Sequence, residues 1–418
     1  MKKIFIRAII IVAFMAMSGL FFQGKNGNAA VRWDTGKFYQ STSGGFTFNS
    51  YLSTDGKKAW IYKVKNLNKD VVPEKLIFPE KIGRAKVVRI GAEQHKDSDG
   101  GMNIFGGWEE RFHDIDGSTE LSRKIKVISM PDTVTEIVYD AFFGMYSLEK
   151  VKVPDNVKAL KQGTFADCKN LREVKLPKKL SSFSSHCFKN CQRLKKLTIS
   201  SKNKKYTVKN NVLLSDGKKK LCWVVPNHET IRIPDSVQII KTGAFGDSQA
   251  TKVQLGKNVT KIQGNSITGS NIKNIVLGKN IYFAKHKGCI YRKSDKTLAI
   301  GIVKKKKLII SNKVKRLTKD TSLCGDLGRF ETLKVLDIPS SVKLLGKDWF
   351  RYMGFGSPEK TYFRGKRPPK LQLSHNHYSD LPTFGEVYVP EKSLKAYQSW
   401  YKKAGELEYV EEDSWNTF

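Results

Sequence analysis

The sequence predicts a curved solenoid, an α/β coil that is mainly β, built from units of about 23 residues around a ladder of parallel strands. Three observations predict it. An apolar residue followed by proline returns at a fixed interval of 23 residues, at Met130-Pro131, Val153-Pro154 and Leu176-Pro177, and Ile199-Ser200 keeps the register without the proline. Six, three and one residues before each of these points stand apolar side chains: Ile125, Ile128, Met130; Leu148, Val151, Val153; Leu171, Val174, Leu176; Leu194, Leu197, Ile199. After the proline comes a second apolar pair and then a small residue with phenylalanine, at Ala141-Phe142, Thr164-Phe165 and Cys187-Phe188.

One Leu-x-x-Leu-x-Leu strand in a period of 20 to 29 residues is the pattern of a leucine-rich repeat. A single unit has nowhere to bury its apolar face, so each must be covered by a neighbour on both sides. The stretch LREVKLPKKLSSFSSHCFKNCQRL, Leu171 to Leu194, resembles the BspA-type leucine-rich repeats of bacterial surface antigens. Pro177, Leu180, Phe183, Phe188 and Cys191 fall on that family's theme, and Cys187 replaces its usual alanine. The resemblance implies a secreted or surface-exposed interaction module, adhesin-like and not enzymatic.

The series continues with interruptions. After Ser200 it resumes at Ile233-Pro234, Leu255-Gly256, Leu277-Gly278, Ile310-Ser311, Ile338-Pro339 and Val389-Pro390. The two long steps carry inserts of equal length, 206–233 and 283–310, whose apolar residues correspond. A polar turn in each separates two strand-like runs, so each is expected to add a β-hairpin. Upstream, Leu76 to Gly91 resembles the family's first unit, and the segment VYVPEKSLKAYQSWYKKAG resembles its C-terminal unit with a short helix. The expected organisation is a leader at 1–30, a cap and first unit at 31–123, repeats at 124–405 and an acidic tail at 406–418. Within the cap, 93–120 holds eight acids against Lys96 and Arg111 and reads as a departure from the repeat.

Lys2, Lys3 and Arg7 precede an apolar run from Ala8 to Phe22, and small residues follow at Ala29 and Ala30. These are the three parts of a secretory signal peptide, and the run is short for a membrane span. Export with no later membrane span is therefore expected, the leader being either cleaved or kept as an anchor. LPTFG, Leu381 to Gly385, is not a cell-wall sorting signal, because Thr383 and Phe384 are in the wrong order and no apolar segment follows. Any attachment to the cell surface would be non-covalent.

The chain carries a formal charge of +36. Loss of the leader, with its four basic and no acidic residues, leaves +32. Such an excess attracts polyanions through a field screened over about 8 Å at physiological salt. The side chains two and four residues before each proline point out of the ladder on its concave side, on strands about 4.8 Å apart. Between the units ending at Pro154 and Gly256 these positions include Lys150, Lys152, Lys175, Lys196, Arg232 and Lys252, the candidate ligand-binding residues. The run Lys304 to Lys307 reads as one local cluster in a turn.

Catalytic and metal signals are weak. His375, His377 and Asp380 could share a strand face, but a polar loop explains them, and the Asp97–Gly101 and Asp114–Glu120 stretches lack full calcium-ligand spacing. Cys168 and Cys191 occupy one repeat position in adjacent coils, which leaves a disulfide open, although small buried residues explain them better. No cysteine stands beside a His-Asp or His-Asn arrangement, so neither a thiol enzyme nor a cofactor or metal is expected. The expected partner is an extracellular protein, a glycan or an anionic envelope polymer, not a specific nucleic acid, and the expected state is monomeric. The competing class is a structural envelope protein held by charge to its own wall polymers.

Overall fold

The computed structural model describes residues 31–68, 71–91, 119–268, 270–326, 332–346, 349, 358–372, 384–403 and 415–418. The leader, nearly all of the acidic insertion, the His375, His377 and Asp380 group and most of the C-terminal tail lie outside these. Among the described residues no helix is long and apolar enough to cross a membrane.

The chain forms a mainly β solenoid of about 12 turns. Its main face is a series of parallel ladders. Lys75–Ile77, Val127–Ser129, Lys150–Lys152, Glu173–Leu176 and Lys196–Ile199 form the first. Thr230–Arg232, Lys252–Gln254 and Asn274–Val276 form the second, and Lys307–Ile309, Val335–Ile338, Lys360–Phe363, Glu386–Val389 and Trp415–Thr417 the third. The strands are short because a proline follows many of them. It has no N–H for the ladder, and its carbonyl instead accepts a bond from the residue three further on, as Pro154 does from Val157 at 3.0 Å and Pro234 from Val237 at 3.0 Å. The chain then turns into two-residue strands such as Ala159–Leu160 and Ser182–Phe183, which pair in parallel with each other on another face of the coil.

The repeat's apolar positions meet in the interior. Phe142, Phe165 and Phe188 are fully buried and stack coil upon coil, with ring centroids 5.3 and 5.7 Å apart and planes within 12° of parallel. Phe78 closes the stack edge-on at one end and Trp223, from the first insert, covers the other. All six cysteines are buried and free. The Cys168 thiol donates to the carbonyl of Phe142 and the Cys191 thiol to that of Phe165, at 3.2 and 3.0 Å, so the two act as repeated carbonyl anchors in place of the disulfide that the spacing left open. Gly163 is required where it stands. Its φ is +70°, and a β-carbon there would lie 1.5 Å from the Asp140 carboxylate of the preceding coil.

The cap begins with Trp33–Ser43, Phe46–Ser53 and Lys58–Asn66, three antiparallel strands. The third pairs in parallel with Ala85–Ile90, which pairs in parallel with Glu136–Ile137 and so joins the cap to the repeats. Each insert holds one strand more than a hairpin: Tyr206–Lys209, Val212–Ser215 and Lys220–Val224 in the first, Phe283–His286, Cys289–Arg292 and Leu298–Val303 in the second. The last strand of each returns to parallel pairing with the solenoid, with Ile239–Ile240 and Ser322–Gly325 respectively. A buried or half-buried asparagine anchors each insert. The Asn203 side chain donates to the Lys178 and Leu180 carbonyls and accepts from the Lys205 and Tyr206 N–H groups. Asn280 does the same with the Gly256 and Val259 carbonyls and the Tyr282 and Phe283 N–H groups. Corresponding positions in equal inserts thus do one job.

Candidate ligand-binding face

The outward side chains of the first ladder stand in register. Lys150 lies opposite Glu173, and Glu173 opposite Lys196; Lys152 lies opposite Lys175, and Lys175 opposite Thr198. Lys150, Lys152, Lys175 and Lys196 are exposed. Four of the six candidate residues therefore share one continuous ladder. Lys252 and Arg232 stand on the second, where Lys252 lies between Thr230 and Asn274 and Arg232 opposite Gln254, whose side chain accepts its hydrogen bond.

The first insert enters between the two ladders and breaks the strand pairing there. The coils stay joined beside the break. The Asn227 N–H donates to the Leu194 carbonyl at 3.1 Å, the Gln249 side chain to that of Gln192 at 3.0 Å, and the His228 ring nitrogen lies 3.3 Å from the Lys195 carbonyl.

Charge on the first ladder is partly answered from within. The Lys196 ammonium lies 2.8 Å from the Glu173 carboxylate, and that hydrogen bond holds the Glu173 carboxyl below the usual range. Lys152 lies 4.0 Å from Asp132. Among the described residues neither Lys150 nor Lys175 forms a comparable ion pair, and Lys152 facing Lys175 sets like charges directly opposite each other, which is unfavourable. An anion laid along the strands would relieve it.

The same face changes character towards both ends, which reading the units from Pro154 to Gly256 could not reveal. Near the cap it offers Ile77 and Val127, 43% and 38% exposed. Near the C-terminus Tyr362 stacks on Tyr388 with centroids 4.6 Å apart, and Arg364 lies 4.7 Å over Tyr362 while pairing with Asp337 at 2.8 Å. The Tyr388 hydroxyl donates to Glu386 at 2.6 Å, and Lys360 lies 3.2 Å from the same carboxylate, so together they hold the Glu386 carboxyl low. Asp337 and Tyr388 could have been found by applying the same two-before-proline rule to Pro339 and Pro390. Tyr362 and Arg364 belong to a coil without the proline and leave no such mark.

Residues 120–213 and 220–294 match, in six copies, the family model described as "BspA type Leucine rich repeat region". Among solved structures, the pneumococcal vaccine antigen PcpA is similar at 13% identity over 86% of this chain and 96% of that one, with a TM-score of 0.37. A leucine-rich cell surface protein of Faecalibacterium prausnitzii is similar at 16% identity over 81% and 95%, with a TM-score of 0.33, and a leucine-rich repeat protein of Eubacterium ventriosum at 12% over 83% and 92%, with 0.37. No curated protein matches the chain.

Proposed function

We propose that this protein is an exported, surface-associated interaction module that binds an anionic or proteinaceous ligand along the concave face of its solenoid. The observation that carries the reading is the register of Lys150, Lys152, Lys175 and Lys196 on three successive strands, with Lys152 facing Lys175. Cations in such a row meet one extended chain at several points at once, and each contact raises the effective concentration for the next. The repeat family supports surface interaction over catalysis.

The competing reading is diffuse adhesion to envelope polymers by net charge, and exposed lysines away from the ladder, such as Lys178, Lys179, Lys202, Lys218 and Lys219, favour it. Replacing Lys150, Lys152, Lys175, Lys196 and Arg232 by glutamine separates the two, with glutamine at those five other lysines as a control matched in charge. Binding to an anionic polymer, followed by fluorescence polarisation at two salt concentrations, is expected to fall several-fold more in the ladder variant. Equal losses would establish diffuse adhesion instead.

A further inference from the structure

Four consecutive lysines, Lys304 to Lys307, make the tight turn that leaves the second insert. Lys304 and Lys307 pair as an antiparallel bridge, exchanging hydrogen bonds of 3.0 and 2.9 Å, and the two residues between them are both left-handed, with φ of 50° at Lys305 and 59° at Lys306. A turn with two left-handed residues is normally built from Asn-Gly, because a β-carbon is disfavoured there. The first insert's hairpin uses Asn210-Asn211 in that way. Lysine adds like charge on both sides of the bridge, which is also unfavourable. At the corresponding exit of the first insert the sequence is Asn-His-Glu-Thr, 227–230, and no left-handed residue occurs there. Neither the repeat nor the insert therefore requires lysine at this turn.

Lysines distant in sequence converge on it. The Lys334 N–H of the following coil donates to the Lys306 carbonyl at 2.8 Å. Asp326 accepts from the Lys305 N–H at 3.3 Å and lies 3.5 Å from the Lys273 ammonium of the preceding coil. Lys285 reaches the Asn274 side chain and the Ile275 carbonyl, at 3.2 and 3.0 Å, immediately beside Lys273. The hairpin tip that carries Lys287 is held against the strand leading into the turn by a 3.0 Å bond from the Ile302 N–H to the Gly288 carbonyl. All of these lysines but Lys306 are exposed, and Lys306 is half-buried.

We propose that this cluster is a second binding site, for a flexible polymer carrying a phosphate in each repeat. Ammonium groups are compact point charges that suit a tetrahedral phosphate in many orientations, whereas the planar fork of arginine would select a carboxylate or a fixed geometry. None of the contacts above involves an aromatic ring on which a nucleic-acid base could stack. The turn keeps an unfavourable conformation and unfavourable charge in the folded protein, as strained segments at functional sites do. The site does not depend on the concave-face reading.

The test is the double variant Lys305→Asn/Lys306→Gly in the full mature chain, with labelled linear inorganic polyphosphate as the probe and a polyglutamate of matched charge as comparison. Thermal midpoint should rise, because the new pair suits the turn, while polyphosphate affinity should fall at least about threefold and the slope of log K against log salt by roughly 1.4, about 0.7 for each lost contact. The variant Lys273→Gln/Lys334→Gln, which alters no left-handed residue, should show the same loss. Unchanged affinity and slope in either variant would overturn the site, as would equal binding of polyglutamate. Placed on top of the five-residue ladder variant, Lys305→Asn/Lys306→Gly should produce the same further loss of polyphosphate affinity and slope, so failure here and failure of the concave face are read separately.

Discussion

Replacing Phe165 by alanine removes the central ring of the stack that joins three coils. Its side chain is fully buried, with Phe142 on one face and Phe188 on the other, both within 12° of parallel. A buried phenylalanine hides on the order of 150 to 200 Å², which at about 25 cal/mol per Å² is worth roughly 4 to 5 kcal/mol, and alanine keeps about a third of that. Loss of two stacked contacts adds about 0.5 to 1.5 kcal/mol each. The coils relax partly into the space, so the net expectation is about 4 kcal/mol, within the usual range of about 3 to 5 for large buried aromatics. Equilibrium urea denaturation followed by circular dichroism measures it, with Tyr139→Ala, 46% exposed, as a control expected to cost below about 0.5 kcal/mol. In a solenoid the cost falls first on the neighbouring coils, so the m-value is expected to drop if those coils uncouple from the rest. A loss below about 1 kcal/mol at constant m would show that the small residue-phenylalanine position does not face the core.

Asn280→Ala should free the second insert from the coil before it, because the two N–H groups and two carbonyls that its side chain serves are left without it. Hydrogen exchange in 283–292 should accelerate by a factor corresponding to about 2 to 3 kcal/mol while the cap is unaffected, and uniform acceleration would refute a local anchor. A third expectation concerns pH. Burial pushes the Cys324 thiol up to about 12 and Cys289 up to about 11, from an ordinary 9.0. The unfolded chain releases these protons first, so the stability they support is complete below pH 9 and falls as pH rises towards 11 and 12. Cys324→Ala should lower stability at neutral pH yet flatten this alkaline decline, and an unchanged slope would contradict the burial.

The repeat was legible because it is written in side chains whose roles are local. An apolar residue at every second position of a short strand, a proline that cannot donate to the ladder and a phenylalanine at fixed distance have the same consequence in every coil, so period and register follow from spacing alone. That is why the stack of Phe142, Phe165 and Phe188 and the outward rows at Lys150 and Lys152 could be placed from the sequence. The equal length of the two inserts was visible too. Their third strand was not, because four residues such as Tyr206–Lys209 before a tight Asn-Asn turn carry little strand pattern of their own and owe their pairing to the strand that follows.

What only the tertiary structure decided concerns distances across coils. Spacing puts Cys168 and Cys191 at one repeat position, but the nearby Phe142 and Phe165 carbonyls are what make them hydrogen-bond donors. Spacing likewise lists the lysines of the main face without saying that Glu173 and Asp132 answer two of them, that the first insert divides the row after Lys196, or that Tyr362 and Tyr388 replace charge with stacked rings further along. The lysines around residues 273, 285, 304–307 and 334 lie in separate units and converge because the second insert folds back onto the coils that flank it. A periodic sequence states which side of its own strand each residue occupies, whereas charge and hydrogen bonding act through space, and neighbours in space here come from coils and inserts whose separation along the chain is not constant.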